Sequence, residues 1–150
     1  MKNIREEIKQ ELFESNFQMA YINTIYTANH IQEQSKQIFK KFGILQQHFN
    51  ILRILNGRSG EKVSPGEIID VMLDKGRDLT RLIDKMERLK LVSRVVNKVN
   101  RRKVDLMITE DGQNTLSSIN EELYVLVYKN PALNEDEAEE LSRLLDKMRS

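Results

Sequence analysis

Between Gly76 and Thr109 the hydrophobic period of the chain changes from helical to alternating, and no other stretch constrains the fold as much. Leu79, Leu82, Ile83, Met86 and Leu89 recur at i, i+3, i+4 and i+7, which predicts an amphipathic helix. Its opposite face carries Arg77, Thr80, Arg81, Asp84, Lys85 and Arg88. Leu91, Val92, Val95 and Val96 then form a short apolar, largely β-branched run, and Val104, Leu106 and Ile108 alternate with Asp105, Met107 and Thr109. The polar NKVNRR between the two runs fits the tip of a β-hairpin.

A second helix precedes this unit. Ser64, Pro65 and Glu67 have the spacing of an N-cap, a first helical position and the third position of a capping box, followed by an apolar face of Ile68, Ile69, Met72 and Leu73. Asp74, Lys75 and Gly76 break it, so two helices joined by about three residues read as a helix-turn-helix. The adjoining hairpin makes it a winged one. The fold class expected is mainly α with a small β-hairpin wing.

Charge is distributed unevenly along the chain. Residues 75 to 103 hold eleven Lys and Arg against three acids, a local net charge of +8, whereas residues 104 to 150 hold four against eleven, a net of −7. The whole-chain value of +1 conceals this separation, which points to a polyanionic partner. With no cysteine, disulfides, thiol nucleophiles and cysteine-ligated metals are excluded. His30 and His48 lack a metal-like spacing with carboxylates and read as structural or surface residues. No phosphate loop, nucleophile motif or dinucleotide fingerprint appears, so neither an enzyme nor a cofactor or metal is expected. The charged N-terminus and the absence of an apolar run of about eighteen residues predict neither signal peptide nor membrane span, hence a cytoplasmic protein.

From Ile4 to about Phe42 there is neither proline nor glycine, and apolar residues recur three or four apart, which predicts one long helix or two abutting ones. So narrow a stripe on so long an element predicts that part of it packs against a second subunit; the alternative is a helix folded back on its own core. Leu45 to Leu55 resumes a helical pattern, and Asn56 to Ser64 is turn material. Thr109 caps a helix with Leu116, Ile119, Leu123, Leu126 and Val127 as its apolar positions; Asn134 and Glu137 start a last one bearing Ala138, Leu141, Leu144, Leu145 and Met148.

These residues resemble the MarR family of winged helix-turn-helix transcriptional regulators. The likeness runs through Gly43-Ile44, Phe49-x-Ile51-Leu52, Leu79-Thr80-Arg81-Leu82-Ile83-Asp84-Lys85-Met86-Glu87, Leu91-Val92-x-Arg94, Asn100-Arg101-Arg102 and Ile108-Thr109-x-x-Gly112. It implies a homodimer built by the terminal helices (1–42 with 110–150), a DNA-binding lobe over 43–109, all as one structural unit, and a reading helix from about Lys75 to Leu89. Arg102 matches the arginine of the family's wing-tip Asp-x-Arg motif, with Asn100 in place of its aspartate. Lys90 stands where the family commonly closes the helix with glycine, and Leu45 and His48 replace a common Thr and Gln.

Duplex DNA carries about one negative charge per 1.7 Å, so such a surface gains by counterion release. Arginine forks suit guanine edges, which assigns Arg77, Thr80, Arg81 and Lys85 to the major groove, Arg88 and Lys98 to the backbone, and Arg94, Arg101 and Arg102 to the wing. Lys85 and Arg88 read equally well as solvated helix charges. The resemblance also implies a small aromatic or anionic effector; Tyr21, Tyr26, Phe39, Phe42 and Phe49 are the candidate lining, although aromatics at helical spacing are more often core. The expected function is regulation of transcription, as a repressor on a pseudo-palindromic operator. The alternative is a protein-interaction scaffold that reads no DNA sequence.

Overall fold

The computed structural model describes residues 2–58, 60–73, 78–97, 104–128 (backbone alone at 127 and 128) and 132–150. In chain order these form α1 (Ile4–Ile8), α2 (Asn16–Lys41), α3 (Gln46–Gly57), α4 (Pro65–Val71), α5 (Leu79–Arg88), β1 (Val92–Val96), β2 (Val104–Ile108), α6 (Glu110–Tyr128) and α7 (Glu135–Met148). The fold is mainly α with a two-stranded antiparallel hairpin.

The N-terminal apolar run becomes two helices. Asn3 and Glu6 close a capping box on the five-residue α1, and Lys9 ends it in the left-handed region at φ 54°. The Ser15 side chain then accepts the Gln18 N–H and starts α2. Tyr26 on α2 donates a hydrogen bond to Glu7 at 2.9 Å, which ties the two together and raises the phenol pKa above its ordinary value.

Two helix ends share one closing motif. At α2 the Ile44 N–H reaches the Phe39 carbonyl and the Gly43 N–H that of Lys40, with Gly43 left-handed at φ 68°. At α5 the Leu91 N–H reaches Met86 and the Lys90 N–H reaches Glu87, with Lys90 left-handed at φ 58°. This is the Schellman pattern, which satisfies the last carbonyls and reverses the chain. Glycine fills the left-handed site in the first case and lysine in the second.

One continuous core joins these elements. Ile38 and Phe39 of α2, Phe49, Ile51, Leu52 and Leu55 of α3, Ile68 of α4, Leu82, Ile83 and Met86 of α5, Leu106 of β2, and Leu116 and Ile119 of α6 are all buried in it. The α4 face is narrower than its sequence suggests: Ile68 and Met72 are buried, but Ile69 and Leu73 are exposed because the helix ends at Val71 and Met72 turns to extended backbone. Val63, within the stretch expected to be turn alone, is buried and exchanges two hydrogen bonds with Leu106, so it lies beside β2 as a one-residue third strand.

Apolar side chains remain on the outside of the terminal helices. Phe17, Tyr21, Ile25 and Ile31 on α2, Tyr124 and Val125 on α6, and Leu141, Leu144 and Met148 on α7 are exposed, and α7 buries none of its residues.

Candidate nucleic-acid interface

The basic helix begins later than the expected Lys75. Asp78 is its N-cap, with its carboxylate accepting the N–H groups of Thr80 at 3.1 Å and Arg81 at 3.4 Å, so regular helix starts at Leu79. An acid there also offsets the positive end of the helix dipole. The sequence signal for this cap, an aspartate directly before the first periodic apolar residue, is present. Leu79, Leu82, Ile83 and Met86 are buried beneath the helix; Leu89, past its end, is exposed.

Burial of that stripe turns the opposite face outward. Thr80 is exposed, and the Arg81 side chain is 87% exposed with its Nε 3.3 Å from Asp78. Lys85 is half-buried. Arg88 is exposed and its Nε donates to the Asp84 carbonyl at 3.3 Å, folding the side chain along its own helix. Thr80, Arg81, Lys85 and Arg88 therefore share one helix, whereas Arg77 lies outside the described residues.

Arg94 is differently placed. Its guanidinium is held by the carboxylates of Asp84, in a close pair, and of Glu87 at 3.1 Å, both on α5. Sequence reasoning groups Arg94 with the wing-tip arginines, and the two acids that hold it carry no signal in the local pattern. The hairpin pairs Val92 with Ile108 and Val96 with Val104 in register. Asn97, just past β1, donates to the buried Asp105 at 2.8 Å. Lys98, Arg101 and Arg102, and with them Asn100, lie outside the described residues.

His48 lies in the first turn of α3, and its Nδ1 accepts the Leu45 N–H at 2.9 Å, doing the work of a capping side chain that Leu45 lacks. Nδ1 is therefore unprotonated and Nε2 carries the proton, buried without a hydrogen-bond partner among the described residues. Burial, assisted by the charge of Lys85, pushes the imidazole down to about 4.

The five aromatic candidates do not gather in one pocket. Phe39 and Phe49 are buried and stack on each other with ring centroids 5.2 Å apart, and Phe42 packs against the same core. Tyr21 and Tyr26 are exposed on α2. Where the C-terminal half of α2 meets the start of α3, a cleft of about 160 Å³ is bordered by Gln32, Glu33, Lys36, Phe39, Leu45 and Gln47 among others. Among the described residues no three or more His, Asp or Glu side chains group as metal ligands would.

A helix pair whose second member is basic outside and buried inside, braced by an antiparallel hairpin, defines a winged helix-turn-helix protein. No family model matches the chain. Its sequence is 27% identical over 149 residues, 97% of this chain and 90% of the other, to the HTH-type transcriptional regulator MgrA of Staphylococcus aureus. Its fold matches that of a MarR mutant from E. coli complexed with operator DNA, at a TM-score of 0.70 and 22% identity over 98% of this chain and 99% of that one. It also matches the organohalide-sensing regulator RdhR in its 2,4-dichlorophenol-bound form, at a TM-score of 0.75 and 18% identity over 93% and 85%. The chain thus has the MarR-family fold, and its resemblance to the family extends along nearly its whole length.

Proposed function

We propose that the protein is a sequence-specific, DNA-binding transcriptional regulator acting as a homodimer, with residues 43–109 as the DNA-binding lobe and 1–42 with 110–150 as the pairing helices. The carrying observation is α5, a capped helix that buries its apolar stripe and offers Thr80, Arg81, Lys85 and Arg88 together on the outside. In this reading Arg77, Thr80 and Arg81 meet base edges, Lys85 meets base edge or phosphate, Arg88 and Lys98 meet phosphate, and Arg101 and Arg102 serve the neighbouring minor groove. Operator DNA in the E. coli MarR complex supports the partner class.

The exposed apolar residues of α2, α6 and α7 support pairing with a second copy. Two reading helices about one turn of DNA apart then bind a pseudo-palindrome, most simply to block a promoter. Release by a small aromatic or anionic effector is the accompanying proposal, supported by dichlorophenol in RdhR and by the cleft between α2 and α3. That cleft, about 160 Å³, is smaller than the roughly 300 Å³ common for ligand sites, so residues of the second copy would have to complete it. No helix among the described residues is long and apolar enough to cross a membrane, and a cytoplasmic location is part of the DNA-binding proposal.

Selection from a random DNA pool at two salt concentrations tests this reading. A two-fold symmetric consensus is expected, with Arg81→Ala weakening the selected site by about 1–3 kcal/mol and random DNA by less. Recovery of no sequence above background would leave the basic face to an acidic protein partner instead.

A further inference from the structure

Asp84 and Glu87 are three residues apart and so occupy one flank of α5. Val92, at the start of β1, is buried in the core, and Arg94, two residues on and therefore on the same side of the strand, is paired with Leu106 across the hairpin. This seats the strand against the helix and brings the Arg94 guanidinium between the two carboxylates. All three side chains keep between 36% and 47% of their exposure. Ion pairs that open to water add little stability, so the larger consequence is electrostatic. Between Leu79 and Arg88 the helix carries three cations, Arg81, Lys85 and Arg88, against these two carboxylates. Arg94 lowers the net charge of the cluster from −2 to −1, which lessens its opposition to a polyanion.

We infer that Arg94 is a positioning residue for DNA reading: it fixes β1 against α5 and halves the negative charge of Asp84 and Glu87 on the reading face, without itself touching DNA. This rests on the DNA-reading role of α5. It separates Arg94 from Arg101 and Arg102, with which its sequence position groups it, because both terminal nitrogens of its guanidinium are already held by carboxylates.

Affinity for the selected operator decides the matter. Arg94→Ala should weaken binding on the order of tenfold, because it uncovers two carboxylates beside the phosphates. Adding Asp84→Asn and Glu87→Gln to it should return the affinity to within about threefold of the parent, since the charges that needed cancelling are gone. A triple variant as weak as Arg94→Ala would show that uncovered acid charge is not what weakens binding, and an Arg94→Ala protein that binds like the parent would remove it from the interface; either overturns the inference. If the parent protein selects no sequence, the DNA reading fails on its own. Hydrogen exchange of the DNA-free protein then judges the clamp: faster exchange of the β1 amides in Arg94→Ala supports it, and unchanged exchange refutes it.

Discussion

Lys90 and Gly112 stand at one junction and obey opposite steric rules. Lys90 is left-handed because α5 closes in a Schellman turn, and a side chain there costs on the order of 1 kcal/mol that glycine would not. Lys90→Gly should therefore raise the unfolding free energy by about 0.5–1 kcal/mol in urea titration, the gain being limited by the looser unfolded chain. Gly112 has no such latitude, since a Cβ there would lie 2.1 Å from the Leu91 carbonyl oxygen and 2.8 Å from Ile108 Cγ1. One of those neighbours is backbone and cannot swing aside, so Gly112→Ala should cost about 3 kcal/mol or more, read as a lowered denaturation midpoint; a neutral result would contradict the geometry. In the sequence Gly112 stands out only as part of the Thr109-x-x-Gly112 likeness to the family, and the steric cause is not visible there, because Leu91 lies far back along the chain. Arg94 was likewise illegible: its partners sit ten and seven residues away, across a strand whose placement only the folded hairpin determines.

At the scale of elements, short-range chemistry was readable and long-range chemistry was not. The Ser64 and Glu67 box on α4 and the Asn134 and Glu137 box on α7 form as their spacing predicts, because both partners of each bond lie within one turn. Two helices are one of the two expectations for the N-terminal run, but the position of the gap between α1 and α2 is not readable, since neither proline nor glycine marks it and a lysine takes the left-handed position. At α3 the helix start depends on a titratable ring. His48 binds its proton at about 4 in the folded chain and near 6.5 when unfolded, so the unfolded state takes up protons first as the pH falls. Stability is unaffected by this residue above the unfolded pKa and declines between 6.5 and 4, by about 2 kcal/mol from pH 7 to pH 5. His48→Gln keeps an acceptor for the Leu45 N–H and removes the titration, so its stability should be flatter across that window; identical slopes in the two proteins would exclude His48 as the source.

Across the whole molecule, α2, α6 and α7 carry most of the large apolar residues that the core does not use, and these are the helices proposed to pair. Tyr21, Ile25 and Ile31 are exposed on α2, so charge at Ile25 should leave the lobe intact while disfavouring association. Ile25→Glu is expected to shift sedimentation equilibrium toward monomer with little change in the far-ultraviolet spectrum, and to weaken operator binding at least tenfold because a lone copy grips one half-site. A dimer of unchanged strength would move the interface elsewhere. The period of this stripe is legible in the sequence, although the point where it divides between α1 and α2 is not, and the hairpin's third contact through Val63 is hidden in a stretch that reads as turn.

The joint between the hairpin and α6 governs how such a pair could respond to anything bound between its halves. The Thr109 hydroxyl donates to the Lys90 carbonyl at 2.6 Å and accepts the Gly112 N–H, while the Thr109 N–H covers the Leu91 carbonyl at 3.1 Å. Backbone and hydroxyl thus weld the tail of α5 to the first turn of α6 with no slack for a side chain to take up. In the proposed pair α6 would act as a crank and α5 as its arm: a tilt of α6 would carry α5 with it through these bonds, and so set the gap between the two copies of α5.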